Sequence, residues 1–113
     1  IGLALQGYIP VSVYPRMDFL LLAMNQLVNH LDKLEAMSLG QYRPKVIIRT
    51  KVGARTPLDA GPQHTQDHVE ALRLMLTNVT VLRLTRAELA KVFYRTALRS
   101  VNSTLVVEDI HAA

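Results

Sequence analysis

The sequence has no cysteine and no tryptophan, and its aromatic residues are two phenylalanines and four tyrosines among 113 residues. Without cysteine, disulfide bonds and thiolate metal ligands are excluded, and a reducing compartment fits the composition. Long apolar runs are also missing. The longest, residues 19–24, has six residues, whereas a membrane span needs about 20. The sequence therefore predicts neither a disulfide-bonded protein nor one that crosses a membrane.

Half of the residues are hydrophobic, which is typical of a folded globular chain. A chain of this length suits one domain with one modest core, so we expect residues 1–113 to form a single domain.

The net charge is +4, and part of the excess lies in one basic stretch: Arg43, Lys45, Arg49, Lys51 and Arg55. Such a stretch can attract nucleic acid or other phosphates. However, Tyr42 is the only aromatic residue beside it, and single-strand binders present several aromatic side chains for stacking. We favour a buried strand with solvated ends, and we expect no nucleic-acid partner. Nucleic-acid or anion binding is the less favoured alternative.

Strand-like and helix-like patterns alternate along the chain. Strands are predicted over residues 8–14, 45–49, 79–84 and 104–109, and helices over 19–34, 67–76 and from about 86 to 99. Asp18, Asp67 and Thr85 are predicted to cap these helices. Because the last strands are continuous apolar runs, we expect an α/β fold. It would have a mostly parallel sheet of at least four strands, with helices on both faces.

A long loop over residues 50–66 leaves the carboxyl end of the second predicted strand. It leads into DAGPQHTQDH, which contains His64 and His68. Ligands of open parallel sheets bind at the carboxyl ends of the strands, so His64 is a candidate site residue. The H-x-x-D-H spacing is also similar to a zinc-protease motif, but that motif needs both histidines on one helix. The predicted cap at Asp67 separates them, so no metal site is predicted.

Four stretches, taken in order, carry a resemblance to one family. IGLALQGYIPVSVY resembles hG-A-x-x-G-x-x-P, MDFLLLAMNQLVNH resembles F-x-x-A-x-D-Q-h-h-N, and VIIRTKVGA resembles h-h-h-R-x-P-x-G-A. GPQHTQDHVEALRLMLTNVTVL resembles G-x-Q-H-S-Q-x-x-E-A followed by the next strand. These motifs are those of the pyrimidine-binding domain of thiamine-diphosphate enzymes (transketolase-like). The chain is most similar to the beta subunit of the 2-oxoacid dehydrogenase decarboxylase component.

The resemblance implies roles for two residues. His64 matches the histidine that works beside the substrate end of the cofactor, so it is expected to be catalytic. Histidine suits that role because it exchanges protons near neutral pH. Phe19 matches an aromatic that packs near the aminopyrimidine ring, so it is expected to contact thiamine diphosphate. Gln63 and Gln66 would shape the loop around His64.

The resemblance also implies partners and a compartment. Magnesium and the diphosphate would be held by an alpha-type subunit, so this chain alone is expected to bind the cofactor weakly. A homo- or hetero-oligomer is expected, without a membrane partner, in the bacterial cytoplasm or the mitochondrial matrix.

The sequence departs from the family pattern in several places, and three of them bear on the site. The family's essential glutamate falls before Ile1, Asn25 replaces an aspartate, and Lys51 replaces a proline. We therefore expect a partial pyrimidine-binding domain, truncated at the N-terminus. The alternative is a non-catalytic, stand-alone interaction module derived from such a subunit.

Overall fold

Four parallel strands form a single sheet in the computed structural model, which describes residues 1–111. The sheet order is β1-β2-β4-β3, and Ile47 of β2 is aligned with Val11 on one side and with Thr104 on the other. The bounds are β1 (Val11–Tyr14), β2 (Ile47–Lys51), β3 (Thr80–Leu84) and β4 (Thr104–Glu108). The predicted α/β class and the predicted parallel sheet are confirmed.

Within residues 1–111, five α-helices connect and flank the strands: α1 (Gly2–Leu5), α2 (Met17–Leu20), α3 (Leu34–Met37), α4 (Val69–Met75) and α5 (Ala90–Arg99). Between α2 and α3 the chain stays helical but changes its winding, first in a 3-10 turn (Leu21–Ala23) and then in a π-helical segment (Asn25–Leu31). A second 3-10 turn, Ala87–Leu89, precedes α5. The helix predicted over 19–34 is therefore present, but not as one regular α-helix.

The strand order explains why helices cover both faces of the sheet. Parallel crossovers are right-handed, so a step to one side of the sheet places its helix on one face and a step back places it on the other. The connections from β1 to β2 and from β2 to β3 run the same way, and the one from β3 to β4 runs back. Accordingly, α2, the π-helical segment and α4 pack with Ile48, Leu105 and Val107. Helix α5 packs with Ile47 and Val106.

The face that α5 covers is incomplete at β1. Val11 and Val13 point to this face and are 54% and 56% exposed. Strand β1 is also an edge strand, and it begins later than predicted: Pro10 precedes it and accepts a hydrogen bond from the Ile47 N–H (3.0 Å). Within the described part of the chain, no helix has the length and hydropathy that a membrane span requires.

Only one of the three predicted caps is observed. The Asp67 carboxylate accepts the Val69 N–H at the start of α4 (3.0 Å). Asp18 lies inside α2, whose cap position is Arg16, so the prediction for Asp18 was wrong. Among the described residues no side chain caps the turn before α5, so the prediction for Thr85 was also wrong.

Candidate active site

Phe19 lies just beyond the carboxyl end of β1, in the first helical turn after that strand. Its neighbours Met17 and Leu20 are fully buried under the sheet. Because successive helical residues point in different directions, anchoring these two side chains turns Phe19 outward, and it is 41% exposed. An apolar aromatic face is thus presented at the ligand edge of the sheet.

His64 is placed by a tight turn in the loop after β2. Its N–H donates to the Gly61 carbonyl (3.1 Å), and the Thr65 hydroxyl donates to the same oxygen (3.1 Å). The Asp59 carboxylate accepts the Gly61 N–H (2.8 Å). Gly61 has φ = +94°, a conformation that favours glycine. The turn therefore fixes the direction in which the His64 side chain leaves the loop.

Phe19 and His64 meet although 45 positions separate them in the sequence. Their ring centroids lie 5.4 Å apart, with an interplanar angle of 72°. This edge-to-face geometry is a favourable one for aromatic pairs. The two residues named from the sequence thus lie side by side at the carboxyl ends of β1 and β2.

Asp18 holds the His64 loop against α2. One oxygen of its buried carboxylate accepts both the Gln66 N–H (3.2 Å) and the Gln66 side-chain amide (2.9 Å). Its other oxygen, Oδ2, is buried and has no hydrogen-bond partner within residues 1–111. Gln66, which flanks His64 in the sequence, thus ties the loop to α2. The role of Asp18 was missed because its partner lies 48 residues away.

Gly53, in the turn after β2, makes the closest approach to the His64 backbone. A Cβ atom at this position would lie 1.9 Å from the His64 carbonyl oxygen and 2.6 Å from Nη1 of Arg16. Side chains do not tolerate such distances, so the packing of the loop requires glycine here. A glycine shortly after a buried strand was the available sequence signal, but its contact with His64 was not predictable.

His68 lies at the start of α4 and not in the loop turn that carries His64. It directly precedes α4, and its N–H donates to the sulfur of Met17 (3.0 Å), while Nε2 is buried. The neighbouring Asp67 is paired with Arg83 (2.8 Å). Burial opposes ionisation of Asp67, but Arg83 and the Val69 N–H outweigh it and lower the pKa of the carboxyl. Within residues 1–111, no three His, Asp or Glu side chains are grouped to hold a metal ion.

The basic stretch is divided between the two ends of β2. At its amino end, Arg43 pairs with Glu35 (3.3 Å), and the Lys45 ammonium donates to the Leu98 carbonyl. Arg49 pairs with Glu108 on the neighbouring strand β4 (2.7 Å). Lys51 and Arg55 lie beyond, at the carboxyl end. The five charges therefore do not form one continuous surface.

The amino-acid sequence of this chain is similar to those of several known proteins. No family model matches the chain. Over 110 residues, 97% of the chain, it is 32% identical to the chloroplastic pyruvate dehydrogenase E1 component subunit beta-3 of Arabidopsis thaliana. Over the same share it is 30% identical to the chloroplastic subunit beta-4 of Oryza sativa subsp. japonica and 29% identical to the subunit beta of Chlorokybus atmophyticus. The chain is related to these E1 beta subunits.

The relationship covers a limited part of each E1 beta subunit. The matched region is 26%, 27% and 32% of the three relatives, so this chain spans about a quarter to a third of their length. Within that span, the predicted resemblance to 2-oxoacid dehydrogenase beta subunits is confirmed. The roles expected for His64 and Phe19 stay predictions.

One cleft lies away from the candidate site. Its volume is about 430 Å³, and it opens between α1, β1 and the π-helical segment, near the amino ends of β1 and β2. Its lining includes Pro10, Leu27 and Val46 but neither Phe19 nor His64. Because ligands of parallel sheets bind at the opposite edge, we place the candidate site at the Phe19–His64 contact rather than in this larger cleft.

Proposed function

We propose that this chain supplies the pyrimidine-binding half of a thiamine-diphosphate site in a 2-oxoacid dehydrogenase. Residues 1–113 would form part of a single pyrimidine-binding domain. The assembled enzyme would decarboxylate a 2-oxo acid and transfer the acyl group to lipoamide. The contact between Phe19 and His64 carries the proposal, because an aromatic face and a proton-exchanging side chain meet at the ligand edge.

The described residues fit one part of thiamine diphosphate better than the other. Phe19 offers an exposed aromatic face beside His64, which suits a flat heterocycle. Magnesium takes oxygen ligands, usually including carboxylates, and no such acidic group is assembled within residues 1–111. When bound, the cofactor would supply carbanion stabilisation, while this chain would orient the ring and exchange a proton at His64.

Because this chain would bind only the heterocycle of the cofactor, the diphosphate and magnesium require a second, alpha-type subunit. Calorimetry should therefore find weak or no binding of thiamine diphosphate to this chain alone. Tight, magnesium-dependent binding to the isolated chain would contradict the proposed division. Several relatives are named chloroplastic. The proposed compartments are therefore the bacterial cytoplasm, the mitochondrial matrix and a plastid.

The decisive experiment isolates the protein from its own cells with the subunits that accompany it. Release of carbon dioxide from pyruvate and from branched 2-oxo acids is then measured with and without thiamine diphosphate. We expect cofactor-dependent release, and we expect His64→Gln to slow turnover by about 100-fold or more, the usual worth of an acid–base group. The variant should keep the wild-type set of accompanying subunits.

His30→Gln is the matched control, because His30 is exposed on the π-helical segment. It should leave turnover within about twofold of wild type, as expected of a surface substitution without a chemical role. A complex with an alpha-type subunit but without cofactor-dependent activity would overturn the proposal. That outcome would favour the alternative, a non-catalytic interaction module.

A further inference from the structure

A second cleft opens at the carboxyl ends of β2 and β4, beside the loop that follows β2. Its volume is about 370 Å³. Part of its wall is apolar, formed by Val52, Ala54, Pro57, Leu58 and Ile110. It lies at the edge of the sheet where ligands of parallel α/β proteins bind. Neither Phe19 nor His64 lines it, although the His64 backbone and Arg16, which lines the cleft, both lie against Gly53.

Two basic side chains, Arg16 and Lys51, line this cleft. Neither forms an ion pair within residues 1–111. The carboxylate that shares the cleft, Glu108, is already engaged: Arg49 donates to both of its oxygens (2.7 and 3.2 Å), and the Tyr94 hydroxyl donates to one of them (2.7 Å). Arg49 therefore balances Glu108, and the cleft keeps the charges of Arg16 and Lys51.

Asp109 and His111 are the other polar groups near the cleft. His111 lines it, and its Nε2 lies 2.6 Å from the Asp109 carboxylate. The second oxygen of Asp109 pairs with Arg83 (2.7 Å), which also pairs with Asp67 (2.8 Å). Asp109 thus forms its ion pair with Arg83 and not with Arg16 or Lys51. The local excess of positive charge attracts anions.

Arg16 lies beside the loop that follows β2. It is half-buried, and its guanidinium lies against Gly53, where an added Cβ would come within 2.6 Å of Nη1. A partly buried guanidinium without an anionic partner has lost hydration without compensation. Arginine presents a rigid fork of donors that matches a carboxylate, and lysine adds a point charge.

We propose that this cleft binds a small organic anion, namely a carboxylate with a short apolar tail. The carboxylate pairs with Arg16 and Lys51, and the tail packs on Val52, Leu58 and Ile110. The assignment rests on two cations that form no ion pair within residues 1–111 and on the apolar part of the wall. It does not rest on the function proposed above, because it involves neither His64 nor a thiamine cofactor.

The test is an NMR titration of the full chain with three probes: hexanoate, its neutral amide and inorganic phosphate. We expect hexanoate to give saturable shifts at the amides of Val52, Ala54 and Ile110. The amide, which lacks the charge, and phosphate, which lacks the tail, should each bind at least about tenfold more weakly. Equal binding of the amide would overturn the role of the cations, and equal binding of phosphate would overturn the carboxylate class.

Arg16→Gln and Lys51→Gln, made separately, should each weaken hexanoate binding by about tenfold or more. Lys51 is exposed, so its variant tests the proposal even if replacing Arg16 disturbs the fold. Lys91→Gln removes the same charge from the exposed side of α5 and should leave binding unchanged. If Lys91→Gln weakens binding as much as Lys51→Gln, the attraction is only the overall positive charge and the proposal fails.

Discussion

Gly53 fits against the carbonyl group of His64 because it has no side chain. The turn that carries Gly53 follows β2, and the loop that carries His64 folds back over it. Asp18 holds the same loop from the other side through Gln66. At the scale of single residues, the position of the His64 ring thus depends on a glycine at position 53 and on the buried carboxylate of Asp18.

Replacing Gly53 with alanine should therefore displace the loop. The new Cβ would stand 1.9 Å from the His64 carbonyl oxygen, and overpacking of this kind costs about 1–3 kcal/mol of stability. We expect urea unfolding to show that loss. We also expect the NMR cross-peaks between the rings of Phe19 and His64 to disappear.

Gly2→Ala provides the control, because a Cβ on Gly2 would meet nothing within 4 Å. It lies in α1, where alanine is a better helix former than glycine, so its stability should not fall. If Gly53→Ala leaves both the stability and the ring cross-peaks unchanged, the close approach does not position His64.

The position of His64 could be predicted from local rules, because its loop follows a strand that the apolar pattern identifies, and ligands bind at the carboxyl ends of parallel strands. Phe19 was named through the family resemblance, since it matches the aromatic residue at the start of the long helix. Asp18 and Gly53 could not be assigned in the same way. Asp18 has the chemistry of a helix cap, and only the folded chain shows that its partner is Gln66. Long-range contacts of this kind leave no local pattern.

At the scale of elements, the helical region between β1 and β2 is the main difference from the prediction. Apolar spacing indicates a helix but does not reveal its winding, which depends on contacts with other elements. The π-helical segment ends with a bond from the Asp32 N–H to the Leu27 carbonyl (3.0 Å). This places Asp32 beside the turn between α4 and β3, whose backbone it binds.

Asp32 joins the two elements through an almost fully buried carboxylate. It accepts the N–H groups of Thr77, Asn78 (2.7 Å) and Val79 (2.8 Å), and the Thr77 hydroxyl also donates to it (3.0 Å). Burial opposes its ionisation, but the Lys33 ammonium and these N–H groups outweigh burial and hold the pKa of Asp32 far below its usual range.

The depressed pKa predicts a dependence of stability on pH. The unfolded chain, in which Asp32 titrates near 3.8, binds the proton more tightly than the folded chain. The stabilisation is therefore complete above about pH 4 and is lost progressively as the pH falls below it. We expect Asp32→Asn to cost about 3 kcal/mol at pH 7, as for hydrogen bonds to a charged group. That difference should shrink at pH 3.

Urea unfolding at the two pH values measures both effects. Glu70→Gln is the control, because Glu70 is 73% exposed in its pair with Arg73, and its loss should change the stability by less than about 0.5 kcal/mol. A difference between wild type and Asp32→Asn that does not change with pH would contradict the assignment of the effect to the Asp32 charge.

At the scale of the whole molecule, the parallel sheet is covered more fully on one face than on the other. The sequence predicted this class from the alternation of strands and helices, but it did not predict which strand would be left uncovered. That depends on the strand order, which sends only one crossover to the α5 face. Exposed apolar strands at a sheet edge favour association with another surface.

We therefore expect the chain to associate with itself as its concentration rises. Sedimentation should give an average mass above the 12.6 kDa of one chain. Val11→Lys should raise the apparent dissociation constant by about tenfold or more, because an unpaired charge is costly to bury.

Val101→Lys is the matched control, since Val101 is 77% exposed but lies in the turn before β4, away from β1. It should associate like the wild type. If Val11→Lys and wild type associate equally, the uncovered face of β1 is not the contact surface.

The place of β4 between β2 and β3 has a consequence for synthesis of the protein. Strand β3 is made before β4, yet among residues 1–111 it pairs with no other strand. After β3 has left the ribosome and until β4 follows, a finished strand therefore waits without a neighbour. Such an open edge is prone to pair with other nascent chains. The speed of translation during this interval should thus affect how much of the protein is recovered folded.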